Sequence, residues 1–190
     1  MDLAAMAKSI DDLFGFETIW TFRPGAGCCG NNGVVNIDQE ELDWLYKAAG
    51  VADTQREPVT WFVMGHEKGH IVIENVFPDR DCLREERQIE IECDLMGAWV
   101  AARLSGGIET DEAKSAVSNF NDINYSSKGI GRAIGDPAGD HPRYPWPEQR
   151  EMSIVRAKML AALYKRLDQT TLAGFAQDLR DSAADRLEGL

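Results

Sequence analysis

Two histidines four residues apart, His66 and His70, enclose a glutamate inside an otherwise apolar stretch. Trp61-Phe62-Val63-Met64 precedes the pentapeptide His66-Glu67-Lys68-Gly69-His70, and Ile71-Val72-Ile73 follows it. A stretch of this kind predicts a buried helix. On such a helix residues i and i+4 project from one face, one turn apart. Two imidazoles so placed can share one tetrahedral zinc ion. Glu67, between them, can act as general base and acid towards a zinc-bound water, whose pKa the metal lowers to about 7. Read structurally, the same histidines would be ordinary helix-surface residues.

Zinc in a hydrolytic site needs a third protein ligand and an open position. No third histidine follows at H-x-x-G-x-x-H spacing. An acidic run comes instead, Glu85-Glu86-Arg87-Gln88-Ile89-Glu90-Ile91-Glu92-Cys93-Asp94. Residues 71 to 89 separate His70 from Glu90, enough chain to turn and bring a second helix alongside. Glu90 and Asp94 are again four apart, whereas Glu92 points about 160–200° away. Glu90 is therefore the expected third ligand. Asp94 is expected to accept an imidazole N–H and fix the tautomer. The bland alternative is a solvated helix face.

Around this centre the chain reads as α+β, mainly helical, in one domain over 190 residues. A helix is expected from about Asp2 to Phe14 and a short strand at Thr18–Phe22. A turn-rich, four-glycine segment spans Pro24–Gly33, followed by a strand at Val34–Ile37. Asp38 and Glu41 form a capping-box-like helix start, and Gly50 is a stop. Pro58 suits the first turn of the histidine helix, which must end before Pro78. The acidic run opens a helix from about Leu83 to Leu104, and a short helix follows Thr110. Ser126–Pro145 is the longest irregular stretch. A helix from Pro147 to about Leu167 has Val155, Met159, Leu163 and Leu167 as its apolar face, and Thr171–Leu187 closes the chain as an amphipathic helix.

Thirty-two acidic against twenty basic residues give a formal charge of −12, which argues against nucleic acid as a partner. Apolar runs are too short to span a membrane. Met1–Ile10 lacks a basic region followed by an apolar one, so it does not read as a signal peptide, and a cytoplasmic location is expected. Cys28, Cys29, Cys82 and Cys93 lack the spacing of a zinc ribbon and read as free thiols, with an oxidised pair as the competitor. Cys28 or Cys29 could also cap a metal.

His66-Glu67-Lys68-Gly69-His70 followed by Glu90-Ile91-Glu92-Cys93-Asp94-Leu95-Met96-Gly97-Ala98-Trp99 resembles the gluzincin pattern, HExxH then E-x-x-x-D. The chain is most similar to the putative neutral zinc metallopeptidase family, and more distantly to HtpX-like peptidases. Cys29-Gly30, Val34 to Asp38, Ala133-Ile134-Gly135-Asp136, His141-Pro142 and Glu148-Gln149-Arg150 add shorter likenesses, so the resemblance covers about residues 28–150. It implies a minigluzincin-like zincin core with a small front sheet and an active-site helix, and C-terminal helices over 151–190. It also implies zinc-dependent hydrolysis of peptide bonds in polypeptide substrates, with zinc on His66, His70 and Glu90. An edge strand would pair with an extended peptide, which places Val34, Val35 and Asn36 against substrate. His141 would stand near the site and either bind the oxyanion or fill the open zinc position; alternatively it stitches its loop. Lys68 stands where relatives carry an apolar residue. If buried, it needs a carboxylate partner. A catalytically silent or self-inhibited metallopeptidase-fold protein that binds a partner is the alternative function.

Overall fold

A computed structural model describes residues 1–25, 28–80, 85–105, 156–157 and 159–188. The described elements are α1 (Leu3–Phe14), β1 (Ile19–Phe22), β2 (Cys29–Asn31), β3 (Val34–Ile37), α2 (Gln39–Ala48), α3 (Asp53–Val76), α4 (Glu86–Leu104) and α5 (Leu172–Glu188). The chain is thus mainly helical α+β with one small mixed sheet. The expected helix after Thr110, the Ser126–Pro145 segment, His141 and the start of the Pro147 helix lie outside the described residues.

Local sequence accounts for most boundaries. Asp2 caps α1 by accepting from the N–H groups of Ala4 and Ala5. Asp38 does the same for α2, and its second oxygen accepts from Gly25 N–H at 2.6 Å. Glu41 accepts from Cys28 N–H at 3.1 Å and ties the preceding loop to the helix. Gly50, at φ 67°, ends α2 as foreseen. Val51 N–H bonds back to Tyr46 C=O and Gly50 N–H to Lys47 C=O, the paired bonds of a Schellman stop.

Pro58 departs from expectation. The helix begins at Asp53, so the proline lies inside α3 rather than in its first turn. The segment from 53 to 57 is polar and offers no apolar periodicity to reveal that earlier start. The Pro24–Gly33 stretch, read as turns, contains strand β2. Asn32 (φ 48°) and Gly33 (φ 75°) form the two-residue turn of a β2–β3 hairpin. The strand order is β1-β3-β2, with β1–β3 parallel and β2–β3 antiparallel.

The core lies between α3 and α4, and three glycines let the two helices approach closely. A Cβ on Gly97 would stand 2.5 Å from the Phe62 carbonyl oxygen, and one on Gly65 would stand 2.7 Å from Val100 Cβ. One on Gly69 would reach within 3.1 Å of Cys93 Cα. Arg80, buried just after α3, pins the connection by a two-pronged bond to Glu92 on α4, at 2.6 and 2.7 Å. Glu92 thus has its own partner, as its position off the Glu90–Asp94 face requires. At the far end Trp99, Phe14 and Phe175 pack α4 against α1 and α5, with ring centroids 5.3 and 4.7 Å from Trp99. Trp99 Nε1 donates to Tyr164 C=O at 2.9 Å.

The apolar face assigned to the helix before Leu167 is corrected. Met159 and Leu163 are exposed, while Ala157 and Leu160 are buried. Leu167 is buried as expected, Ala161 and Tyr164 pack partly against the same core, and Val155 lies outside the described residues.

Candidate metal centre

Helix α3 presents His66 and His70 on the face that meets α4, with ring centroids 5.1 Å apart. Helix α4 answers with Glu90 and Asp94, one turn apart. His66 Nδ1 lies 2.9 Å from Asp94 Oδ1, and Asp94 is wholly buried. His66 Nε2 faces Glu90 Oε2 at 3.4 Å, and His70 Nε2 faces Glu90 Oε1 at 3.7 Å. One carboxylate therefore stands before both imidazole tips, while the other holds the back of one ring. This is the juxtaposition expected from the two i, i+4 pairs.

The electrostatics follow from that crowding. Burial by itself pushes His66 towards its neutral form. The hydrogen bonds to Asp94 and Glu90 and their charges outweigh it, and the imidazole is raised to about 10. Two buried carboxylates therefore hold a positive charge between them. A proton on His66 or a metal cation would supply it equally.

Cys93, not expected at the centre, belongs to it. It is a free, fully buried thiol on α4, between Glu90 and Asp94 in sequence. One donor atom each from His66, His70 and Cys93 lies within 4.8 Å of the others, a group that could hold a metal ion. Burial first, then the charges of Glu90, Glu92, Glu67 and Asp94, push the Cys93 thiol well above its ordinary value. Cys28, considered as a metal cap, instead lies beside α2, its N–H bonded to Glu41. The signal for Cys93 was present in the sequence: it is three residues from Glu90 and so shares the helix face that turns to α3.

Compared with models of protein families, with curated proteins and with solved structures, the chain matches none of them. What the centre can do rests on its own atoms.

The donor set fits zinc. Two nitrogen or oxygen ligands at about 2.0–2.1 Å on a tetrahedral ion sit about 3.4 Å apart, close to the 3.4 and 3.7 Å between Glu90 and the two histidines. The mixture of imidazole, carboxylate and thiol favours zinc or a neighbouring transition metal over magnesium or calcium. Access is from the His70 side. That side chain is 21% exposed against 9% for His66, and Glu67 is half-buried.

Lys68 points away from the metal donors. Its side chain is wholly buried, and Nζ donates to Asp11 Oδ1 at 2.7 Å, to Phe16 C=O at 3.0 Å and to the Thr18 hydroxyl. The ammonium also lies 3.7 Å from the centre of the Phe16 ring. Asp11 in turn accepts from Thr18 N–H and Trp20 Nε1. The lysine is thus a buried tie between α3, α1 and the connection from α1 to β1, with the carboxylate partner its burial demanded.

The substrate strand is corrected. Val34–Ile37 is the central strand, bonded to β1 on one side and β2 on the other. Val34, Val35 and Asn36 therefore offer no open edge to an extended peptide. Val35 is fully buried, and the Asn36 side chain bonds to Thr21. The edges of the sheet, among the described residues, are β1 and β2. Strand β2 is the one beside the centre, where Gly30 packs so tightly on α3 that a Cβ would stand 2.1 Å from the Glu67 carbonyl oxygen.

Proposed function

We propose that this chain is a zinc-dependent peptidase of gluzincin type, cleaving polypeptide substrates at the centre formed by α3 and α4. The observation that carries the reading is the Glu90 carboxylate before both imidazole tips, with Asp94 behind His66. A bound zinc ion would supply an activated water and Lewis-acid polarisation of the scissile carbonyl. The chain's own residues do the rest. His66, His70 and Glu90 would hold the ion. Asp94 accepts a hydrogen bond from His66 Nδ1–H and so fixes the tautomer that leaves the Nε2 lone pair for the metal. Glu67 is the base that collects a proton and returns it to the leaving amine. An extended substrate would add to the outer edge of β2, next to Glu67, rather than to β3.

Glu67→Gln tests this. Zinc content should be kept while cleavage of an unfolded protein falls by about 10²–10⁴-fold. Undiminished cleavage by the variant would overturn the assignment.

A second reading, a silent or self-inhibited metal centre, is favoured by one observation. The Cys93 thiol stands within ligand range of the same two histidines.

A further inference from the structure

We infer that Cys93 is a fourth metal ligand, whose thiolate closes the coordination sphere that His66, His70 and Glu90 would leave open. This rests on reading the cluster as a metal centre, and not on its being a peptidase. Three observations converge. Cys93 is a free thiol with no exposed surface, so it is no solvent-facing nucleophile. Its sulfur and a nitrogen of each histidine are mutually within 4.8 Å. An imidazole nitrogen and a thiolate on one tetrahedral zinc sit about 3.6 Å apart, so these atoms need move together by no more than about an ångström. Finally, the chain makes room for this sulfur. A Cβ on Gly69 would press to 3.2 Å from Cys93 Sγ and 3.3 Å from Met96 Sδ. Glycine between Lys68 and His70 lets the thiol lie against the histidine helix.

Ligation breaks the S–H bond and forms a sulfur–metal bond, and the proton leaves to solvent. A centre with two imidazoles, a carboxylate and a thiolate has no vacant tetrahedral position. It holds its ion firmly and prefers soft metals. It admits a substrate carbonyl only when the thiolate lets go.

Cobalt(II) loading tests the inference, because a thiolate on cobalt gives a near-ultraviolet charge-transfer band that imidazole and carboxylate do not. The full chain with one equivalent of cobalt should show that band. Cys93→Ser should bind one cobalt, keep the visible d–d bands, lose the charge-transfer band and release one proton fewer on loading. Cys93→Ala should give the same spectrum, which separates ligation from any effect of the serine hydroxyl. The wild-type spectrum decides even if a variant does not fold. One bound cobalt without a charge-transfer band overturns the inference and leaves the metal centre standing. A band that persists in Cys93→Ser overturns it in favour of another cysteine. Wild-type protein that binds no cobalt overturns both this inference and the metal-centre reading.

Discussion

Asp94 Oδ1 lies 2.9 Å from His66 Nδ1, so the outer face of the ring is fixed and its Nε2 is aimed at Glu90 and the neighbouring His70. A wholly buried carboxylate is costly unless partnered. The imidazole supplies that partner, and the position of the ring follows from it.

The same pair sets a pH dependence. In metal-free protein the His66 value of about 10 exceeds the unfolded value of about 6.5. A raised folded pKa means that the folded state holds the proton more tightly. The stabilisation is therefore complete below about pH 6.5 and is lost as pH rises through about 10. Melting temperatures of chelator-treated protein should fall across that window, and Asp94→Asn should flatten the fall. A melting temperature independent of pH over the window would contradict the pairing.

Lys68 is predicted to be structural although it sits within the histidine pentapeptide. Lys68→Met leaves the partly buried Asp11 without its cation and should destabilise the fold by about 2–4 kcal/mol. Adding Asp11→Leu should restore much of that, since an apolar pair can replace a buried ion pair. Zinc affinity of the folded variant should be unchanged; chemical denaturation and zinc titration measure the two effects separately. A selective loss of zinc binding would show that the lysine serves the centre.

The glycines of the helix interface make a further prediction. Gly97→Ala must force the Phe62 carbonyl away, 2.5 Å from the new carbon, at a cost of about 1–3 kcal/mol. Because His66 N lies 3.1 Å from that carbon, zinc affinity should fall as well. A Cβ added at Gly174 in α5 would meet nothing within 4 Å. Gly174→Ala should therefore stabilise the fold by up to about 1 kcal/mol. Equal effects at the two sites, read by denaturation, would contradict the close-packed interface.

Periodicity and spacing made much of this legible. The paired i, i+4 residues on α3 and α4 foretold that His66, His70, Glu90 and Asp94 would share one place, because a helix face is fixed by its repeat. Caps at Asp38 and Gly50 were legible for the same local reason. Strand order was not: that Val34–Ile37 lies in the middle depends on β2, three residues whose only local mark is the Asn32-Gly33 turn. The partner of Lys68 lies 57 positions away at Asp11, a contact that no local pattern encodes. Cys93 was legible from its helix phase, but a single cysteine on a helix reads equally well as packing.

The most direct test of the metal centre is zinc content by native mass spectrometry and elemental analysis, on wild type and on His66→Ala/His70→Ala. The proposed centre predicts one zinc per wild-type chain and none in the double variant, with circular dichroism showing both folded. A folded wild-type chain that takes up no zinc, or a double variant that retains it, would contradict the account.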